Sequence, residues 1–147
     1  MTSLVVDASI AVKWVVEEAG TTEALVLKRI YRLAAPDLLI AECANILWKK
    51  ARRGELSLDE ASLAARLLQK VDIVLRPMRP FLDAATRIAI MLNHPAYDCL
   101  YLAMAEAEQT RFVTADDRLL NKVRQDPTKR FSAIVVSLQD AIPSFEH

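Results

Sequence analysis

The chain has 147 residues, of which 53% are hydrophobic and only 2 are glycine. This length and composition predict a single globular, helix-rich domain over residues 1–147 and exclude a disordered chain. Nineteen basic and nineteen acidic residues cancel, so the net charge alone indicates no polyanionic partner, although a local basic patch remains compatible with it.

Short apolar runs alternate with helical patterns along the whole chain. Strands are predicted at residues 4–6, 33–35, 73–75, 112–113 and 133–136. Helices are predicted at residues 9–18, 23–32, 36–53, 57–70, 80–92, 95–107 and 118–124, the fourth of them opened by a capping box at Ser57. Short apolar strands separated by helices indicate a parallel sheet covered on both faces. We therefore predict an α/β fold with three layers, α/β/α, and a central parallel sheet of about five short strands.

Hydropathy and cysteine content predict the cellular compartment of the protein. No apolar run reaches the roughly 20 residues of a membrane span, and a strand pattern begins directly at the N-terminus without a secretory signal. We expect a cytoplasmic protein with no membrane partner. Cys43 and Cys99 lie in apolar helical patterns, and we expect both to be reduced core residues.

Two acidic residues follow strands of the predicted sheet. Asp7 comes directly after the first strand, and Asp116 comes shortly after the fourth. In a parallel sheet the carboxyl ends of the strands share one edge, and sites form beyond that edge. Each acid could also be a plain helix N-cap. Their common placement nevertheless predicts that the two carboxylates lie near each other.

Two further acids lie in predicted helices. Glu42 stands in the middle of an apolar helix, where a charge is costly unless it is paired or bound to a metal, and Asn45 is placed to hydrogen-bond it. Glu42 could instead reach water from the edge of the apolar stripe. Asp98 opens the sixth helix, where an acid also suits the helix dipole. The four acids together predict one carboxylate cluster.

Such a cluster requires a cation. Two carboxylates about 4 Å apart repel each other by about 4 kcal/mol at an effective dielectric constant of about 20. Oxygen ligands without a clear histidine or cysteine partner favour Mg²⁺ or Mn²⁺, and we interpret His94 as a turn residue. A metal site of this kind suits hydrolysis of a phosphodiester by activated water.

Four motifs of the chain resemble those of the PIN domain family, most closely its VapC-like toxin ribonucleases. They cover nearly the whole chain in the order and approximate spacing of the family: Val5-Val6-Asp7-Ala8-Ser9 with Lys13-Trp14, Glu42-x-x-Asn45, Tyr97-Asp98-x-Leu100-Tyr101-Leu102-Ala103, and Phe112-Val113-Thr114-Ala115-Asp116. The chain departs from the family in carrying His94-Pro95 where these toxins often have a small hydroxyl residue, which leaves the capping of the sixth helix open.

The resemblance implies the toxin of a toxin–antitoxin pair: an endoribonuclease dependent on Mg²⁺ or Mn²⁺, forming a homodimer and neutralised by a cognate antitoxin protein. It implies that the catalytic, metal-binding acids are Asp7, Glu42, Asp98 and Asp116. It also implies polar support from Ser9, Asn45 and Thr114, while the role of the extra acid Asp117 stays open.

An RNA substrate also needs cations that contact its phosphates. Two basic groups are candidates for this rim: Lys49, Lys50, Arg52 and Arg53 at the end of the third helix, and Arg118, Lys122 and Arg124 after Asp116. Both groups also fit solvated helix faces.

Two other classes of protein remain alternatives, and a third is disfavoured. A receiver-type phosphoacceptor signalling domain would have paired acids at the first strand and a lysine after a late one, whereas Asp7 stands alone and Ser137 follows Val136. A phosphatase with an Asp-x-Asp motif is disfavoured because position 9 is serine. A non-catalytic RNA- or protein-binding module on the same fold would not require all four acids.

Overall fold

The computed structural model describes residues 2–143. Its strands are β1 (Ser3–Val6), β2 (Arg32–Pro36), β3 (Val74–Arg76), β4 (Arg111–Thr114) and β5 (Val135–Ser137). Its α-helices are α1 (Ala8–Ala11), α2 (Thr21–Ile30), α3 (Leu38–Arg52), α4 (Leu58–Leu68), α5 (Leu82–Leu92), α6 (Ala96–Ala107), α7 (Asp117–Gln125) and α8 (Leu138–Ala141). Two short 3₁₀ helices, Val12–Trp14 and Arg79–Phe81, follow α1 and precede α5.

The five strands form one parallel sheet in the order β3-β2-β1-β4-β5. The chain moves outward from β1 to β3 and then crosses to β4 on the other side of β1. The order therefore reverses between β1 and β4, and a crevice opens beyond the carboxyl ends of these two strands. The predicted parallel sheet is confirmed.

The side chains of the strands alternate between two core layers. Leu4 and Val113 pack with Leu27 of α2 and Leu138 of α8 on one face. On the other face, Phe112 belongs to a larger core built with α3, α4, α5 and α6. Burial on both faces explains why the strands are continuously apolar, and the predicted three-layer α/β/α fold is confirmed.

The predicted boundaries hold to within two residues for most elements. The first predicted helix, at residues 9–18, is wrong in its second half, because α1 ends at Ala11 and the 3₁₀ turn ends at Trp14. After Trp14, two backbone carbonyl groups accept hydrogen bonds from side chains: Lys13 Nζ donates to Ala19 O at 2.8 Å, and Thr21 Oγ1 donates to Val16 O at 3.0 Å.

Two helices begin at serine residues whose side chains cap them. The capping box is confirmed, since Ser57 Oγ accepts from Glu60 N and Glu60 Oε1 accepts from Ser57 N. Helix α8 was not predicted; it begins where Ser137 Oγ accepts from Asp140 N at 3.1 Å.

Two further expectations can be compared with the structure. Both cysteines, Cys43 and Cys99, are free and buried, as predicted. Within residues 2–143, no helix combines the length and the apolar character needed to cross a membrane.

Candidate active site

A cleft of about 1010 Å³ lies at the carboxyl edge of the sheet. Its walls come from the start of α1, one face of α3, the corner between α5 and α6, and one face of α7. All four predicted acids line it: Asp7, Glu42, Asp98 and Asp116. The structure thus brings together acids that are more than a hundred residues apart in the chain.

Asp7 is the most deeply buried of these acids, with 5% of its surface exposed. Its Oδ1 accepts from the Ser9 hydroxyl at 2.5 Å and, as the N-cap of α1, from Ile10 N at 3.3 Å. Its Oδ2 accepts from the Thr114 hydroxyl at 2.5 Å. Burial raises the pKa of Asp7 to about 7, against the lowering effect of the hydroxyl donors. Asp7 is therefore both a helix cap and a cleft residue.

The same hydroxyl groups connect β1 to the end of β4. Thr114 Oγ1 accepts from Asp116 N at 3.0 Å, and Ser9 Oγ accepts from Ala115 N at 3.2 Å. Asp116 in turn is the N-cap of α7. These bonds fix the relative positions of the acids that follow the two central strands.

Glu42 reaches the cleft from α3. Its Oε1 accepts from the Tyr101 hydroxyl at 2.5 Å, and the Tyr101 ring stacks on Phe112 with centroids 5.4 Å apart. Burial raises the pKa of Glu42, the tyrosine hydroxyl opposes this, and the charge of Asp98 adds to it. The predicted hydrogen bond from Asn45 to Glu42 is wrong: within residues 2–143 the two side chains are not hydrogen-bonded, although Asn45 also lines the cleft.

Asp98 lies in the first turn of α6, facing His94. His94 Nε2 is 2.6 Å from Asp98 Oδ2. Burial raises the pKa of Asp98, the hydrogen bond from His94 lowers it, and the nearby charge of Asp116 raises it again. His94 does lie in the turn between α5 and α6, as predicted, but its ring also bonds a cleft acid, which was not predicted. The spacing of four residues between His94 and Asp98 was the sequence signal for this pair.

The site has the donor chemistry of a divalent-cation site. One donor atom each from His94, Asp98 and Asp116 can be chosen so that all three lie within 4.8 Å of one another. Within residues 2–143, neither Asp7 nor Glu42 forms an ion pair with a lysine, arginine or histidine. Because the charge of Asp98 also raises the pKa of both Asp7 and Glu42, a divalent cation fits the cleft on electrostatic grounds.

The predicted basic rim is only partly at the cleft. Its lining includes Lys49, Arg118 and Lys122. Arg52 and Arg53 are not among the lining residues. Arg52 instead lies 4.6 Å from the centroid of the Trp48 ring, and Arg53 is 4.0 Å from Glu55.

The remaining basic and acidic candidates lie apart from the cleft. Lys50 pairs with Glu18 at 3.3 Å and with Glu55 at 3.8 Å. Asp117 is exposed in the first turn of α7 and is not among the lining residues, so it is not part of the acidic cluster.

Comparison with known proteins gives consistent matches over most of the chain. The PIN domain family model matches residues 4–125. Ribonuclease VapC3 of Pyrobaculum aerophilum is 36% identical over 122 residues, covering 81% of this chain and 93% of that protein. Exonuclease VapC9 of the same organism is 34% identical over 99 residues, covering 67% and 72%. Ribonuclease VapC9 of Mycobacterium tuberculosis is 28% identical over 116 residues, covering 79% and 87%.

A solved structure is also similar to this chain. The crystal structure of PAE2754 from Pyrobaculum aerophilum superposes with a TM-score of 0.68 at 27% sequence identity. The match covers 95% of this chain and 91% of that one.

Proposed function

Because the chain belongs to the PIN domain family and is VapC-like, we propose that it is a metal-dependent endoribonuclease and the toxin of a toxin–antitoxin pair. The observation that carries this proposal is the convergence of Asp7, Glu42, Asp98 and Asp116 on one cleft. The names of the VapC relatives agree with a ribonuclease.

The residues that would hold the ion are the four acids. Their oxygen donors favour Mg²⁺ or Mn²⁺ over softer metals. A bound ion of this kind lowers the pKa of coordinated water and neutralises charge on a phosphodiester. The chain's own part is to keep the carboxylates in place: Ser9 and Thr114 donate to Asp7, and Tyr101 donates to Glu42.

The rim of the cleft suits a polyanionic substrate. Lys49, Arg118 and Lys122 surround the acids, and we propose that they contact RNA phosphates on either side of the bond to be cut. The side chain of Arg118 is 90% exposed, and its Nε lies 3.8 Å from Asp116 Oδ1. These contacts would orient the strand without selecting its sequence.

The proposed protein partners follow from the same cleft and family. An acidic pocket is a natural receptor for an arginine side chain, which binds carboxylates through two parallel hydrogen bonds. We propose that the cognate antitoxin inserts a basic residue beside the four acids and so inhibits the toxin. We also propose a single domain over residues 1–147 that assembles as a twofold homodimer.

Cleavage assays test the enzymatic proposal. The protein should cut RNA with Mg²⁺ or Mn²⁺ and should be inactive in EDTA, and Asp98→Asn should abolish cutting. One relative is named an exonuclease, so a circular RNA is the informative substrate, because only an endonuclease can open it. Cleavage of linear but not circular RNA would refute the endonuclease proposal, and cleavage in EDTA would refute metal dependence.

The two alternative classes find less support. A receiver domain would place a lysine where Ser137 stands, whereas Ser137 caps α8 here. A non-catalytic binding module would not need a buried Asp7 held by two hydroxyl donors. Neither alternative is favoured by a specific observation.

A further inference from the structure

His94 lies at the corner between α5 and α6 and contacts the cleft. Its side chain is only 6% exposed, compared with 20% for the side chain of Asp98. The separation of 2.6 Å between His94 Nε2 and Asp98 Oδ2 is that of a strong, charge-assisted hydrogen bond. An ionised carboxylate only accepts hydrogen bonds, so the ring nitrogen is the donor.

The need for this donor follows from the start of α6. Asp98 is the third residue of α6, counted from the N-cap Pro95. In a capping box an acid at this position accepts from the backbone N–H of the N-cap, as Glu60 does from Ser57 in α4. Proline has no N–H, so Asp98 cannot make that bond. The His94 ring provides the donor that the backbone lacks.

Both partners are attached to ordered backbone. Asn93 ends α5 in the left-handed conformation, with φ of 50°, and His94 N donates to Ala89 O at 3.2 Å. The ring is therefore positioned by the end of α5, and the carboxylate is positioned by the first turn of α6. Their hydrogen bond connects the two helices at the edge of the cleft.

Three acids of the cleft accept hydrogen bonds from neighbouring side chains. Asp7 is held by the hydroxyl groups of Ser9 and Thr114, and Glu42 is held by Tyr101. Side-chain donors thus occupy both oxygens of Asp7 and one oxygen of Glu42, and thereby set the direction of each acid. For Asp98 the corresponding donor is His94.

We propose that His94 is a positioning residue for the metal site: its hydrogen bond to Asp98 Oδ2 fixes the orientation in which the Asp98 carboxylate would bind a divalent ion. This inference rests on the proposed function, because it requires Asp98 to be a metal ligand. Partners that orient metal ligands typically change metal affinity about 10- to 100-fold when removed. His94 then affects the ion only through Asp98.

Metal binding provides the test, independent of RNA cleavage. Mn²⁺ affinity is measured by calorimetry for the wild-type protein, His94→Ala, His94→Gln and Asp98→Asn. Glutamine can place an N–H near the position of histidine Nε2, so it should restore the bond that alanine removes. The matched control is Arg87→Ala, which removes another bond between residues four apart, to Asp83, on the exposed surface of α5.

We expect His94→Ala to bind Mn²⁺ about 10- to 100-fold more weakly, His94→Gln to retain most of the affinity, and Arg87→Ala to match the wild type. Thermal melts of each variant establish that it is folded. Unchanged affinity in His94→Ala, or an equal loss in alanine and glutamine variants, overturns the positioning role.

Two further results separate the possible failures. Electron paramagnetic resonance of bound Mn²⁺ should show no nitrogen coupling from His94; coupling that disappears in His94→Ala makes His94 a ligand and overturns the proposal. If Asp98→Asn binds Mn²⁺ as the wild type does, the proposed metal site itself fails. If Asp98→Asn binds weakly and His94→Ala binds normally, only the role of His94 fails.

Discussion

Replacing Asp7 by asparagine removes a negative charge that the metal-free fold buries almost completely. The carboxyl group has an ordinary pKa of 3.8 and a pKa of about 7 in the folded protein. Between these values the folded state binds more protons than the unfolded state, so stability falls as the pH rises. Below pH 3.8 the penalty is absent, and above pH 7 it reaches its full value.

The size of the effect follows from the two pKa values. A difference of one pKa unit corresponds to about 1.4 kcal/mol, so the raised pKa of Asp7 lowers the free energy of unfolding by roughly 2 kcal/mol at pH 5 and roughly 4 kcal/mol at pH 8. Asparagine avoids this cost, but its amide NH₂ must face Ser9 or Thr114, which costs about 1–3 kcal/mol at every pH. The variant should therefore gain about 2–3 kcal/mol relative to the wild type between pH 5 and pH 8.

Urea denaturation in EDTA at pH 5, 6.5 and 8 measures this gain, with tryptophan fluorescence as the signal. Asp83→Asn is the control, because the Asp83 side chain is 82% exposed. Adding Mg²⁺ at pH 8 should stabilise the wild type by about 2.7 kcal/mol at a hundredfold excess over the dissociation constant, and the variant by less. A free-energy difference between wild type and variant that is identical at pH 5 and pH 8 would refute the reasoning from burial.

Three further predictions follow from particular contacts. Tyr101→Phe should lower the metal-free stability by about 1–2 kcal/mol, because Glu42 loses its donor while the ring remains; unchanged urea denaturation in EDTA would contradict this. Ser57→Ala should cost about 1 kcal/mol by removing the capping box of α4 and should leave RNA cleavage unchanged, so a loss of specific activity in the folded variant would argue against a purely structural role. Arg118→Ala should weaken RNA binding and reduce the magnitude of the slope of log K against log[salt] by about 1. An unchanged slope in a salt titration would show that Arg118 does not contact RNA.

The convergence of Asp7 and Asp116 was predictable from the sequence. Short apolar runs identify buried parallel strands, and parallel strands end at one edge of a sheet. An acid directly after such a run is therefore placed by topology alone, without knowledge of any side-chain contact. The observed reversal of strand order between β1 and β4 puts these acids on neighbouring strands.

The partners of Glu42 and Asp98 were not predicted, for different physical reasons. Local spacing suggested Asn45 for Glu42, but the observed donor, Tyr101, is 59 residues away in the chain. Such a contact depends on how α3 and α6 pack against the sheet, which periodicity does not specify. His94 does have helical spacing to Asp98, yet the proline between them conceals the interaction, because proline normally indicates a turn.

The predicted end of the first helix was wrong for a third reason. Its apolar periodicity continues past Trp14, and the pattern alone therefore favours a longer helix. The chain instead turns into a loop held by Lys13 and Thr21 side chains. Side-chain bonds to the backbone compete with helical hydrogen bonds, and their outcome depends on packing around the loop.

The cost of burying Asp7 connects stability to function in this fold. A penalty of about 4 kcal/mol at pH 8 is a large part of the 5–15 kcal/mol that typically separates folded from unfolded protein. Since Ser9 and Thr114 already use their hydroxyl groups on this carboxylate, a positive charge entering the cleft would relieve the remaining electrostatic cost at a pH where Asp7 is ionised. A divalent ion and an inserted basic side chain would both relieve it, and both would need the same space. Under the proposed function, the arrangement that destabilises the metal-free fold would therefore make the acidic cleft a common receptor for an activating cation and for an inhibiting basic side chain.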